Sequence, residues 1–166
     1  MYKKKDFHRS LRLFTAMAVS MANILVAYAS RTGDTQSIAE LIAEGIRMAG
    51  GSVTVKKISE IKNEAGLNGY DGYVFGAPTY HGDMVNTMKT FLFMAEKADL
   101  AHKVGAAFGA FGWSGEAPPR IFDTMAHMYH MRMVSGPLLL KSAALGGGLR
   151  MAQDYGKEVV DTIGTV

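Results

Sequence analysis

Asn23-Ile24-Leu25-Val26-Ala27-Tyr28-Ala29 runs directly into Ser30-Arg31-Thr32-Gly33-Asp34-Thr35, and beyond it Ile38, Leu41, Ile42, Ile46 and Ala49 recur at spacings of three and four. The first run is short, apolar and rich in strand formers; the later spacing is that of one helix face. Between strand and helix lies a turn of hydroxyls around a single glycine. The first backbone N–H groups of a helix have no partner within it and point outward, and the helix dipole adds partial positive charge there. Hydroxyls of Ser30, Thr32 and Thr35 could donate to the same point. Such a turn suits a phosphate. Ser, Thr and Asp are also ordinary helix caps, so the turn alone leaves both readings open. It is neither a Gly-Lys-Ser/Thr phosphate loop nor a Gly-x-Gly-x-x-Gly dinucleotide turn.

Outward from this turn the pattern keeps alternating. The helix of residues 35–49 is stopped by Gly50-Gly51. Residues 52–58 read as a second strand whose polar content places it at a sheet edge. Residues 61–71 read as a loop, and no clear helix follows the second strand. A third strand (73–77) ends at Pro78 and leads to a helix over 84–98. A fourth strand (103–111) leads to a helix over 118–131, with Pro118 and Pro119 suited to its first turn. A fifth strand (138–143), a triple-glycine loop and a helix over 149–163 complete the chain. Five strands with helical crossovers predict a parallel sheet covered on both faces, with residues 22–166 as one unit.

Composition narrows the chemistry. A chain of 166 residues, 48% hydrophobic and 20% charged, fits one globular domain. It has no cysteine, which excludes disulfides, thiolate catalysis and iron–sulfur ligation by its own side chains. Nothing forms an apolar run of ~20 residues, so no membrane span is expected. The formal charge of +3 is unevenly placed: residues 1–21 carry Lys3, Lys4, Lys5, Arg9 and Arg12 against Asp6, a net +4, which leaves −1 for the rest. The domain therefore lacks the basic face of a nucleic-acid binder. Residues 1–21 have three readings: a short signal peptide ending near Ala16-Met17-Ala18, an amphipathic surface anchor, or a disordered extension outside the domain. The apolar core of this leader is shorter than the ~7–15 residues a signal peptide uses, which favours the third reading and a cytoplasmic protein.

Two further loops follow strands. One is Gly76-Ala77-Pro78-Thr79-Tyr80-His81-Gly82-Asp83; the other is Gly109-Ala110-Phe111-Gly112-Trp113-Ser114-Gly115-Glu116. Each sets an aromatic among glycines at the carboxyl end of a strand, where open α/β sheets bind ligands. A flat ring could stack between Tyr80 and Trp113; the same residues could equally be surface aromatics closing the sheet edge. His127-x-x-His130 could share a helix face, but without a third ligand the pair reads as part of a half-exposed helix with gap-filling methionines.

Together the three loops resemble those of the flavodoxin family. Ser30–Thr35 matches its phosphate loop, Ser/Thr-x-Thr-Gly-x-Thr, and the other two match its flavin-ring loops in position and type. The resemblance spans essentially all of residues 22–166. It implies a flavodoxin-like three-layer α/β sandwich with strand order 2-1-3-4-5 and FMN at the switch point. It implies that Ser30, Thr32, Gly33 and Thr35 hold the FMN phosphate, with Arg31 and Asp34 contributing backbone. Pro78, Thr79, Tyr80, His81 and Gly82 would line one side of the flavin, and Phe111, Gly112, Trp113, Ser114 and Gly115 the other. Gly82 would ease a carbonyl turn toward the reduced ring, and His81 near the ring edge would make its potential depend on pH. The Pro78–Met84 loop looks more like that of WrbA-like quinone reductases, and Gly112–Ala117 like the flavodoxin domain of A-type flavoproteins, whose di-iron domain this chain has no room for. The short glycine loop after the fifth strand resembles the short-chain flavodoxins. The implied function is a low-potential electron carrier, expected as a monomer serving redox protein partners, with no residue in a catalytic or metal role. The alternative is an FMN-dependent NAD(P)H:quinone oxidoreductase. A response-regulator receiver is excluded because the third strand ends in Ala77-Pro78 rather than in an aspartate.

Overall fold

β1 (Asn23–Tyr28) lies inside the sheet and sorts its side chains to two layers. Ile24, Val26 and Tyr28 enter one core, while Leu25 and Ala27 enter the other, as the period of two requires. The computed structural model describes residues 22–165; residues 1–21, and with them the reading of the leader, lie outside it. The remaining strands are β2 (Ser52–Lys57), β3 (Gly72–Gly76), the short β4 (Thr79–Tyr80) and β5 (Asp83–Met84), β6 (Val104–Ala110), β7 (Arg132–Met133) and β8 (Leu138–Leu140). The main sheet is parallel, ordered β2-β1-β3-β6, with β7 and β8 both pairing β6. This is the flavodoxin-like order, with polar β2 at the edge. β4 and β5 form a separate antiparallel hairpin.

Two helices cover one face. α1 (Asp34–Met48) buries Ile38, Ala39, Ile42 and Ile46, and α4 (Gly148–Gly164) buries Ala152, Tyr155, Val159 and Val160. They press together through glycine: a Cβ on Gly45 would stand 1.9 Å from the Gln153 carbonyl oxygen, and one on Gly156 2.1 Å from that of Ile42. α1 ends where expected. Gly50 has φ 87, and the Gly50 and Gly51 amides donate to Arg47 and Ile46 carbonyls, a left-handed glycine stop. The other face carries α2 (Asn86–Ala95), α3 (Ala117–Asp123) and the connection after β2. That connection holds only two 3-10 turns, Ile58–Glu60 and Glu64–Leu67, which bury Ile58 and Leu67.

The last third departs from the periodicity in two places. The expected helix over 118–131 is α for only Ala117–Asp123 and then widens into a π turn, Thr124–Met128, closed by the Tyr129 amide on the Thr124 carbonyl. The fifth strand position is filled in two pieces. Val104 and Gly105 pair with Arg132 and Met133, but Phe108 pairs with Leu138, so the edge strand carries two extra residues opposite Ala106 and Ala107. The Tyr155 hydroxyl fills the gap: it accepts from the Ala107 amide at 3.2 Å and reaches the carbonyls of Ala107 at 2.9 Å and Gly136 at 2.7 Å. Its burial pushes the Tyr155 pKa up, above the ordinary phenol range. No helix among the described residues is long and apolar enough to cross a membrane.

Candidate functional site: three loops at the carboxyl ends of the strands

The sheet's own ladder brings the three loops together. Past the last paired residues, the Ala29 amide donates to Gly76, Ala77 to Phe108, and Phe111 to Leu140. The chain therefore leaves β1, β3 and β6 side by side.

The loop after β1 turns on Gly33, whose φ of 95 suits a residue without a Cβ. Ser30 Oγ accepts from the Gly33 amide at 3.1 Å and shapes the turn. The first intrahelical bond runs from the Ser37 amide to the Gly33 carbonyl, so the amides of Asp34, Thr35 and Gln36 precede the helical ladder. No side chain caps this helix start. These amides are the groups that an anion at a helix start would use. Thr35 is buried. Thr32 is exposed, and its hydroxyl donates to the Asp34 carboxylate at 3.2 Å.

The loop after β3 is the β4–β5 hairpin. His81 (φ 51) and Gly82 (φ 72) form its two-residue tip, both in the positive-φ region that such tight hairpins use. Buried Thr79 accepts the Ala117 amide on Oγ1 at 3.0 Å, tying the hairpin to the start of α3. Pro78 is buried beside it and Tyr80 half-buried. Tyr80 takes the Arg31 guanidinium over its ring, 5.2 Å from carbon to centroid. Asp83 closes the hairpin: it binds Lys89, pairs with Arg120 at 2.8 Å and accepts the Met84 amide at 2.8 Å. These partners, Lys89 foremost, hold the Asp83 carboxyl below its usual range.

The loop after β6 is more open. Trp113 is fully exposed and Gly112 exposed, while Phe111, Ser114 and Gly115 are half-buried. Gly115 packs close to Leu139: a Cβ there would stand 2.5 Å from the end of that side chain. Glu116 follows, with Oε2 buried and without a hydrogen-bond partner.

A cavity of about 710 Å³ lies between the first two loops, lined among others by Ser30, Arg31, Tyr80, His81 and Asp83. That is the size of a small-molecule pocket. The cavity thus joins the start of the loop after β1 to the hairpin. Thr32–Thr35 and the Phe111–Gly115 loop stand outside this cavity, and Trp113 projects from the surface. His127 and His130 precede β7 and so lie at the opposite end of the sheet. Sequence reading missed the Arg31–Tyr80 stack, the Lys89 and Arg120 clamp on Asp83, and the orphan oxygen of Glu116. Only the charged residue types could have hinted at them, because the partners lie up to 49 positions apart.

An open parallel α/β domain with an uncapped helix start beside an aromatic hairpin is a nucleotide-type cofactor binder. A family model for the flavodoxin domain matches residues 25–135, and the chain belongs to the flavodoxin family; FMN is the cofactor this membership assigns to it. An archaeal flavodoxin structure superposes with a TM-score of 0.77 at 28% identity, covering 85% of this chain and 98% of that one. An NAD(P)H dehydrogenase (quinone) from Gluconacetobacter diazotrophicus is 31% identical over 69% of each chain. A type A flavoprotein from Rhodobacter capsulatus is 30% identical over 86% of this chain, which spans about a third (33%) of that protein's length.

Proposed function

We propose that the chain is an electron carrier that holds FMN at these three loops. The observation that carries this is the start of α1, where the amides of Asp34, Thr35 and Gln36 face a turn that no side chain caps. That donor set fits a phosphate monoester. Ser30 keeps the turn in shape by accepting from Gly33. Tyr80 and Phe111 would bound the flavin, Thr79 would fix the hairpin against α3, and the orphan Oε2 of Glu116 suits an N–H donor such as the flavin's N3. Bound FMN supplies one- and two-electron exchange; the protein governs its affinity, charge environment and access. Trp113 is fully exposed and would be available to a protein partner.

A quinone reductase is the second reading, favoured by the 31% identical NAD(P)H dehydrogenase (quinone), of which the chain covers 69%. The two separate cleanly. The purified protein, reconstituted with FMN, is mixed with NADH or NADPH and then with a water-soluble quinone while flavin absorbance is followed. A carrier bleaches with a reductase or dithionite but only slowly with pyridine nucleotides. Rapid, saturable bleaching by NAD(P)H with turnover on quinone would establish the enzyme instead. Release of FAD, or failure to take up any flavin, would reject both.

A further inference from the structure

Arg31 belongs by sequence to the loop that resembles a phosphate loop, yet its side chain reaches the neighbouring hairpin. Its guanidinium lies over Tyr80, and both residues line the cavity between the first two loops. The Asp83 carboxylate is paired elsewhere, with Lys89 and Arg120, and Asp34 accepts a hydrogen bond from the Thr32 hydroxyl. Among the described residues no carboxylate forms an ion pair with Arg31. Its cation is therefore placed by an aromatic face rather than by an anion. A guanidinium suits that role because it is planar, weakly hydrated and charged at every working pH.

We propose that Arg31 is a positioning residue for the redox step: clamped on Tyr80, it holds a permanent positive charge beside the flavin and favours the reduced, more negative cofactor. This rests on the reading that Tyr80 lines the flavin. The phosphate has its own donors in the amides that open α1, and the Arg31 side chain leans instead to the wall shared with Tyr80 and His81. Arg31 is itself exposed, so solvent screens much of its charge and the effect on the flavin is modest. Removing that charge should shift the preference for reduced over oxidised flavin by about tenfold, which for a two-electron couple is about 30 mV.

The test compares wild type with Arg31→Gln, Arg31→Lys, Tyr80→Phe, Tyr80→Leu and the double variant Arg31→Gln/Tyr80→Leu. Midpoint potentials are measured on the FMN-loaded proteins. Dissociation constants for FMN and riboflavin come from fluorescence quenching on the apoproteins. Arg31→Gln should lower the potential and leave the ratio of FMN to riboflavin affinity unchanged. Arg31→Lys should recover only part of the loss, because an ammonium does not lie flat on a ring. Tyr80→Phe, which keeps the ring under the guanidinium, should move the potential less than Tyr80→Leu. Tyr80→Leu should lower it by releasing the cation, and adding Arg31→Gln to it should change little more. Loss of FMN affinity with riboflavin binding and potential intact would make Arg31 a phosphate ligand and overturn the proposal. So would an unchanged potential in Arg31→Gln, or strictly additive effects of the two substitutions. Failure of the underlying site reading looks different: Tyr80→Leu would then leave both the flavin spectrum and the affinities unmoved, and the proposal would fall with it.

Discussion

Asp34 sets two demands against each other within one residue. As an acid in the first turn of α1 it complements the helix dipole, but its carboxylate stands in the turn proposed to take a phosphate dianion. Asp34→Asn should therefore tighten FMN about three- to tenfold at low salt, leave riboflavin unchanged and lose the gain as salt is raised. Titration of both ligands at two ionic strengths decides it; equal changes for the two would remove the phosphate from this turn. Asp83 carries a different consequence. Its folded pKa lies below the ordinary value of 3.8, with the Lys89 hydrogen bond as the first cause and the Met84 amide next. A depressed carboxyl contributes stability in full above its unfolded pKa and loses it as pH falls through the lower folded value. The hairpin should thus stay clamped down to about pH 4 and loosen only below it. The Met84 amide chemical shift, followed from pH 6 to pH 2, should report a midpoint below 3.8 in wild type and no such step in Asp83→Asn.

Most elements were legible because they obey a single period. β1, β3 and β6 are apolar runs, β2 betrays its edge position by Lys56 and Lys57, and Gly33 and Gly50 bracket α1. The three loops were legible because each follows a strand end that the sheet aligns. Illegible features depend on contacts between distant residues. A π turn keeps an apolar spacing close to that of an α-helix, so residues 124–128 read as more of the same helix. Of the split edge strand, Leu138–Leu140 was legible within the strand read over 138–143, but Arg132–Met133 left no signal; what bridges the gap is Tyr155, 48 positions from Ala107. That arrangement gives a prediction for the element. Tyr155→Phe keeps the ring but leaves the Ala107 amide and carbonyl without their partner, and unsatisfied buried groups cost about 1–3 kcal/mol. Urea unfolding should show a loss of that size with an unchanged slope. A neutral result would mean that Gly136 and its neighbours close the strand without the hydroxyl.

At the scale of the molecule, the cofactor site and the helix layer behind it share α1. The helix opens on the proposed phosphate turn and, three turns on, presses Gly45 against the backbone of α4. A methyl at Gly45 has no room, since its position lies 1.9 Å from a backbone oxygen that cannot swing aside. Gly45→Ala must therefore part the helices, and overpacking of this kind costs about 1–3 kcal/mol, more than the ~1 kcal/mol that alanine gains over glycine in a helix. The apoprotein should melt several degrees lower. Ligand that binds only the folded state adds stability as RT ln(1 + [L]/Kd), so the FMN-induced rise in melting temperature reports whether the strain reaches the turn. If α1 yields at its packed face alone, Gly45→Ala and wild type should gain the same increment from saturating FMN. A smaller increment, with weakened FMN affinity and intact riboflavin affinity, would show the helix moving as a rigid rod and carrying its amides away from the phosphate. Thermal melts of both proteins with and without FMN, paired with the two affinity titrations, distinguish these outcomes. A Gly45→Ala apoprotein as stable as wild type would mean that the α1–α4 contact is looser than the glycine pair requires.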